Sequence, residues 1–149
     1  MAIQSILSLP IYHEFLKEYQ FNLEGFLFDL CGITLTRDQQ TLAQLAINPM
    51  ARISVVSGTG TGKTAWIGGA ALHSMWCFPV VEYDGKIEVG SNTYVGAPVI
   101  QQVADGVWKE MNDNFQRIKM IDGMGWLTSR THTKAERWYV DGYKDQWFI

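Results

Sequence analysis

The chain has 149 residues, of which 47% are hydrophobic and 18% charged, a composition typical of one globular domain and not of a disordered chain. Its net charge of −3 excludes a strongly basic protein that coats nucleic acid. The sequence predicts neither a signal peptide nor a membrane span, since its apolar runs are too short for either. Cys31 and Cys77 stand apart without the spacing of a disulfide framework or a metal site, which indicates reduced thiols inside a cell.

The first third of the chain predicts helices followed by one strand. Apolar residues recur at helical spacing between residues 11 and 31, in one or two helices. Thr36 then has the position of an N-cap for a helix that ends near Ile47. The apolar residues within 53–56 predict a buried strand.

The middle of the chain predicts a helix, a hairpin and a second strand. The helix covers residues 63–76 and carries its apolar side chains on one face. Asp84 and Gly85 form a strong turn signal inside residues 80–92, which predicts a hairpin or extended excursion there. Residues 93–96 are short and apolar enough for a central strand.

The last third predicts a helix over residues 101–116, an irregular stretch over 120–129, and two strands over 138–140 and 147–149. Helices thus alternate with strands along the chain. This alternation predicts an α/β fold, here an incomplete P-loop NTPase-type parallel sheet with flanking helices.

Residues 57–64 have the pattern of a phosphate-binding loop between a strand and a helix. Their glycines let the backbone curl so that several N–H groups point at one anion. The Lys63 ammonium is then placed to reach β- and γ-phosphate oxygens, and the Thr64 hydroxyl to ligate Mg²⁺. Ser57 replaces the first glycine of the G-x-x-x-x-G-K-[ST] signature, and the alternative interpretation is a glycine-rich turn. The predicted phosphate-binding residues are Ser57, Gly58, Thr59, Gly60, Thr61, Gly62, Lys63 and Thr64.

The loop and its surroundings resemble the large subunit of the tailed-bacteriophage terminase, a DNA-packaging motor. The resemblance is carried by the loop, Trp76 in the next helix, residues 94–98, Gln101, Trp108, and residues 145–149. It implies an ATPase that uses ATP and Mg²⁺ and couples hydrolysis to translocation of double-stranded DNA into a capsid. It also implies a homo-oligomeric ring, a portal protein and a small terminase subunit as partners, in the cytoplasm of an infected bacterial host cell.

Residues 36–40 resemble the glutamine motif found upstream of the P-loop in helicase-like and packaging ATPases. This resemblance implies that the amide of Gln39, with Gln40 as the second choice, contacts the adenine edge. Thr36 and Gln39 also have the T-x-x-Q spacing of a capping box, which needs no ligand. The two interpretations do not exclude each other.

A P-loop ATPase also needs an acid that holds Mg²⁺ through water. Asp29 precedes the loop, and Asp141 is followed by Gly142, a pair that favours a hairpin turn. The chain leaves no room for the terminase nuclease domain. We therefore predict a helical lead-in over residues 1–35 and the N-terminal portion of an ATPase domain over residues 36–149, which binds nucleotide weakly and hydrolyses it poorly or not at all.

Arg130 is the candidate for a cation offered to the γ-phosphate of a neighbouring subunit, because packaging motors are rings that complete each site in trans. A plain surface arginine is the alternative interpretation. His13, His73 and His132 are scattered, which predicts packed or surface histidines and no metal site.

Three other functions fit parts of the sequence. A helicase-type or replication ATPase shares the loop and the glutamine motif. A small nucleoside or shikimate-type kinase is also a compact P-loop protein, although the basic residues between 117 and 137 fit its lid poorly. The third is a truncated, non-catalytic protein that binds a nucleotide or a partner.

Overall fold

The computed structural model describes residues 5–48, 50–56, 63–88 and 90–149. Its helical elements are a 3-10 turn at Ile6–Ser8, α1 at Pro10–Tyr19, α2 at Leu23–Asp29, α3 at Arg37–Ala46, α4 at Lys63–Cys77, α5 at Ile100–Val103, α6 at Lys109–Lys119 and α7 at Gly125–Thr128. A π-turn at Ala104–Trp108 joins α5 to α6, so residues 100–119 form one continuous helix. The strands are β1 at Val81–Tyr83, β2 at Lys86–Glu88, β3 at Thr131–Thr133 and β4 at Trp138–Val140.

The predicted N-terminal helices are confirmed, and their ends follow from local chemistry. Gly32 follows α2 with a φ of 66°, a left-handed conformation that glycine adopts without a steric penalty. The Ile33 N–H donates to the Leu27 carbonyl at 2.9 Å, which satisfies one of the free acceptors at the end of α2. At the start of α3 the Thr36 side chain accepts from the backbone of Gln39, as an N-cap should.

Helix α4 lies at the centre of the hydrophobic core. The side chains of Leu72, Met75 and Trp76 in its second half are fully buried. Helices α1, α2 and α6 pack around it. The other fully buried large side chains are Ile6, Tyr12, Phe26, Leu27, Met111, Ile118, Leu127, Val140 and Trp147. Burial of this many aromatic and aliphatic groups is the main source of stability.

Two glycines allow neighbouring helices to approach α4 closely. A Cβ on Gly68 would lie 2.7 Å from Cβ of Glu110, and one on Gly69 would lie 2.3 Å from Cδ2 of Leu27. At Gly69 the Leu27 methyl is the end of a flexible side chain and can move away, whereas Gly68 faces Cβ and backbone atoms of α6, so the close approach requires glycine at Gly68. In the predicted parallel-sheet fold this glycine pair would pack on a sheet, whereas its partners are helices α6 and α2.

The C-terminal end of α4 is held by side chains from distant parts of the chain. The Tyr12 hydroxyl donates to the Trp76 carbonyl at 2.5 Å, and the Gln20 amide donates to the Cys77 carbonyl at 3.0 Å. The Trp147 indole N–H donates to the Met75 carbonyl. These bonds satisfy carbonyls that have no partner within the helix.

The strands form two short antiparallel pairs. β1 pairs with β2, with Val81 opposite Glu88, and the turn between them contains Asp84 and Gly85 at φ values of 47° and 72°. This confirms the predicted hairpin. β3 pairs with β4, and Thr131 lies opposite Val140.

The end of the chain extends the second of these pairs. Residues 147–149 bond to β4, since the Trp138 and Ile149 backbones exchange N–H···O bonds of 3.1 and 2.8 Å. The strand predicted over 138–140 is confirmed, whereas the one predicted over 147–149 is wrong, because those residues form only isolated bridges at Phe148. On the other side Asn92 and Phe148 form an isolated parallel bridge.

The predicted parallel sheet is wrong for the described residues. Both named strand pairs are antiparallel, and the parallel arrangement is limited to the bridge at Asn92. Antiparallel strands close through short turns, whereas parallel strands need a long crossover. Helices α1, α2 and α6 pack on α4 and bury Leu72, Met75 and Trp76, while Ile67 is 38% exposed.

The predicted strand at 53–56 is wrong as well. These residues have no regular secondary structure, and Ile53, Val55 and Val56 are 42%, 44% and 96% exposed. β-branched residues favour a strand only where a neighbouring strand and a packed face are present. Residues 93–96 likewise form no strand beyond the bridge at Asn92.

Cys31 and Cys77 are both buried free thiols. Burial raises the pKa of the Cys31 thiol to about 12, and burial raises that of Cys77 further. Within the described ranges, the helices are too short or too polar to cross a membrane.

Candidate functional site

The last two predicted phosphate-binding residues, Lys63 and Thr64, lie at the N-terminal end of α4. Residues Ser57 to Gly62 lie outside the described residues. Lys63 is the first residue of α4, which confirms the helix predicted after the loop, and Thr64 is exposed in its first turn. The N-terminus of a 15-residue helix carries free N–H groups and a partial positive charge. This end of α4 therefore has the polarity that an anion requires.

The π-turn lies beside this end of α4. A Cβ on Gly106 would lie 3.9 Å from Cγ2 of Thr64, and further along the two helices Gly68 lies against Glu110. The order of these two contacts means that α4 and the helix of residues 100–119 run in the same direction. Single π-turns are often found at functional sites in helices.

The predicted adenine ligand Gln39 belongs to a capping box at the start of α3. Its amide oxygen accepts from the Thr36 N–H at 2.9 Å, and its own N–H donates to Oγ1 of Thr36 at 3.3 Å. The capping interpretation is therefore the one that the geometry supports, because the amide oxygen already has a backbone partner. Gln40, the second choice, is half-buried on the same helix.

Arg130 follows α7 and is half-buried. Its Nη1 donates to the Trp126 carbonyl at 2.8 Å, and its own carbonyl accepts from the Asp141 N–H at 2.8 Å. The guanidinium thus supports the corner between α7 and β3.

The two acids considered for Mg²⁺ are engaged elsewhere. Oδ1 of Asp141 lies 2.7 Å from Nε2 of His132, whose ring stacks on Tyr139 at a centroid distance of 4.6 Å. Oδ2 of Asp29 accepts from the Tyr19 hydroxyl at 2.8 Å. In the part of the chain that the structure describes, His, Cys, Asp and Glu side chains form no group of three or more that is able to hold a metal ion.

A cleft of about 410 Å³ lies on the far side of the π-turn from α4. Tyr94, Trp108 and Phe148 supply its aromatic walls, and Arg137 lies at its edge. Sequence reasoning missed this cleft, because it joins three segments that are far apart in the chain. A sequence signal for it is the aromatic content of residues 94–108 and 138–148.

Contacts among Arg137, Asp145, Tyr94 and Phe148 hold the side chains of the cleft in place. The Arg137 guanidinium carbon lies 4.2 Å from the centroid of the Phe148 ring, and its Nη1 donates to Oδ1 of Asp145 at 3.0 Å. The Tyr94 ring meets the same Phe148 ring edge to face at 5.7 Å. These contacts fix the orientation of the aromatic walls.

Comparisons of this chain with models of protein families, with curated proteins and with solved structures find no match.

Proposed function

We infer that this chain binds a magnesium–nucleoside triphosphate, with ATP as the expected ligand, at the N-terminal end of α4. The observation that carries this proposal is the Ser57-to-Thr64 pattern, which leads directly into a long helix beginning at Lys63. Backbone N–H groups of a glycine-rich loop and of a helix start are suited to phosphate oxygens. In this proposal Lys63 holds the β- and γ-phosphates, and Thr64 ligates Mg²⁺.

Two features of α4 support this assignment. Thr64 is exposed, so its hydroxyl is accessible to a hydrated ion. The opposite end of the helix is fixed in the core by Tyr12, Gln20 and Trp147, so the phosphate-binding end is presented by a rigid element. A rigid support limits the entropy lost when a ligand is bound.

The wider role that we propose is the ATP-binding portion of a viral DNA-packaging motor, in which hydrolysis is coupled to translocation of double-stranded DNA. Its support is the sequence resemblance alone, including residues 94–98, Gln101 and Trp108. A portal protein, a small terminase subunit, a ring of identical subunits and the cytoplasm of an infected host belong to the same proposal. A helicase-type ATPase shares the loop and remains the alternative.

The binding proposal is tested by isothermal titration calorimetry with magnesium–ATP. Lys63→Ala should weaken binding at least tenfold, because the variant loses the charge that contacts two phosphates (about 1.4 kcal/mol or more). Thr64→Ala should lower the affinity in the presence of Mg²⁺ more than in its absence. Lys119→Ala, a change at an exposed lysine of α6, is the matched control and should bind as the native chain does. Equal affinity of Lys63→Ala and the native chain would contradict the proposal.

We expect this chain to bind ATP but to hydrolyse it slowly. Asp141 is already paired with His132, so its carboxylate is not placed to orient an attacking water. Phosphate release under saturating magnesium–ATP is the measurement. Asp141→Asn should leave the release rate unchanged, whereas a catalytic acid would lose several orders of magnitude. A large loss in this variant would assign the catalytic acid to Asp141.

A further inference from the structure

Four extended segments lie side by side near the end of the chain, and we call them the C-terminal layer. β3 pairs with β4, residues 146–149 bond to the other side of β4, and residues 91–93 bond to the far side of residues 146–149. In that last contact the Phe148 N–H donates to the Ser91 carbonyl at 3.1 Å, and the Thr93 N–H donates to the Phe148 carbonyl at 3.0 Å.

One face of the C-terminal layer packs on the core. Trp138, Val140 and Trp147 are at most 2% exposed, and the Trp138 ring meets Phe115 of α6 at a centroid distance of 5.4 Å. Successive residues of an extended chain point to opposite faces. The residues that alternate with these buried ones therefore point away from the core, and they form the outer face of the layer.

Ring contacts identify the side chains of the outer face. His132 stacks on Tyr139 at a centroid distance of 4.6 Å, and Tyr139 pairs with Phe148 in an antiparallel bridge. The Phe148 ring is covered by the Arg137 guanidinium, 4.2 Å from its centroid, and by the edge-to-face ring of Tyr94 at 5.7 Å. Aromatic rings thus run across all four segments of the layer.

The spacing of these rings selects an extended ligand with several flat groups. Tyr139 and Tyr94 belong to segments on opposite sides of residues 146–149, so a single flat group cannot cover both rings. Tyr94 is 81% exposed, and Tyr139 is half-buried. Successive bases of a single nucleic-acid strand stack on aromatic rings arranged in this way, whereas the bases of a duplex are already stacked on one another.

Cationic side chains lie beside the rings. Lys134 is exposed and continues the alternation that places His132 on the outer face. The Lys134 N–H donates to the Arg137 carbonyl at 3.2 Å, so the two cations belong to neighbouring positions of the layer. A positive charge next to a stacking ring is complementary to a strand whose phosphates alternate with its bases.

Two of the three acids in this part of the chain are bonded to side chains of the outer face. Asp141 lies 2.7 Å from Nε2 of His132, and Asp145 accepts from Nη1 of Arg137 at 3.0 Å, while Glu136 is exposed in the turn between β3 and β4. The Asp145 side chain is 78% exposed, and an ion pair with so exposed a partner contributes little. A phosphate can therefore take the place of the Asp145 carboxylate at Arg137.

We propose that the outer face of the C-terminal layer binds a single strand of nucleic acid. Its bases stack on Tyr94 and Tyr139, and its phosphates contact Lys134 and Arg137. This site is separate from the proposed nucleotide site at the start of α4.

The experiment measures fluorescence anisotropy of labelled oligothymidylate and oligouridylate strands of about 12 nucleotides, with a duplex of the same length for comparison. Tyr94→Ala should weaken the single strands roughly tenfold through the lost stacking contact. Tyr94→Phe keeps the ring and should bind as the native chain does. Phe21→Ala removes a ring of α2's N-terminal flank that is 67% exposed, and should leave the affinity unchanged.

Two further variants test the charges. Lys134→Ala should reduce the slope of log affinity against log salt concentration by about 0.7. Lys17→Ala, which removes an equally exposed charge from α1, should retain the native slope. Asp145→Asn should strengthen binding about twofold to fivefold, because Arg137 loses the carboxylate that competes with phosphate.

The outcomes decide between this proposal and its alternatives. Binding of only one of the two single strands would support the proposal and identify DNA or RNA as the ligand. Equal affinity of Tyr94→Ala and the native chain, weaker binding by Asp145→Asn, a duplex bound more tightly than either strand, or no binding of either strand would overturn it. Lys63→Ala should bind the strands as the native chain does, so failure of the nucleotide site leaves this result unaffected.

Discussion

At its C-terminal end α4 is enclosed by the core, whereas at its N-terminal end the helix reaches the surface. Three side chains from distant segments donate to its last carbonyls. Thr64 at the other end is exposed. The difference divides the helix into two parts: the C-terminal half contributes to stability, and Thr64 in the N-terminal turn contributes little. The variants below test this division.

The largest expected effect follows from loss of the Trp147 anchor. This side chain is fully buried and donates to the Met75 carbonyl, so Trp147→Ala should destabilise the fold by about 3–5 kcal/mol. Urea denaturation followed by circular dichroism measures the change. Thr64→Ala at the open end should stay within about 0.5 kcal/mol of the native chain. Comparable losses of unfolding free energy in the two variants would contradict the proposed difference between the two ends of α4.

A smaller loss of stability is expected from a substitution at the contact between α4 and the helix of residues 100–119. Helix propensity alone favours Gly68→Ala by up to about 1 kcal/mol. The new Cβ would lie 2.7 Å from Cβ of Glu110 and 3.1 Å from its backbone carbon, so the helices must move apart. We expect a net destabilisation of about 1–3 kcal/mol by urea denaturation.

Gly106→Ala is the matched control for that variant. Among the described residues, its Cβ would come within 4 Å of Cγ2 of Thr64 alone, at an ordinary 3.9 Å, so the substitution should be neutral or stabilising. A stabilised Gly68→Ala variant would show that the helices are not in close contact at this point.

The smallest effect near neutral pH concerns His73, in the buried half of α4. Burial lowers the pKa of His73, whose Nε2 donates to the Tyr19 carbonyl at 2.7 Å. The unfolded chain then binds a proton more readily than the folded one. Stability contributed by the neutral ring is therefore complete above a pH of about 6.5 and falls as the pH decreases below it.

Thermal denaturation between pH 5 and 7 measures this dependence. His73→Gln keeps an amide donor for Tyr19 and should reduce the slope of stability against pH. His13→Gln, at an exposed histidine, should retain the slope of the native chain. An unchanged slope in His73→Gln would assign the acid sensitivity to other groups.

The structural features that depend on local sequence were predicted correctly. The N-cap at Thr36, the turn at Asp84 and Gly85, and the helix that begins at Lys63 depend on neighbouring residues alone. Each is set by backbone geometry or a single side-chain bond, so a short stretch of sequence contains the information.

Long-range packing was not predictable in the same way. Gly68 and Gly69 indicate that something packs closely on α4, but not that the partner is a helix. The β-branched residues of 53–56 indicate a strand only if another strand lies beside them. Among the candidate site residues, Gln39 shows the same limit, because the residues that form the capping box are also those that resemble the glutamine motif.

Chemical labelling of the two buried thiols can measure local opening of the folded chain. A thiol reacts with disulfide reagents only as the thiolate, and both groups are held protonated by burial. Cys31 lies at the end of α2, where the Arg117 guanidinium donates to its carbonyl at 2.6 Å, and Cys77 is the last residue of α4. The labelling rate of each cysteine therefore gives the frequency with which its own corner of the core becomes accessible to solvent.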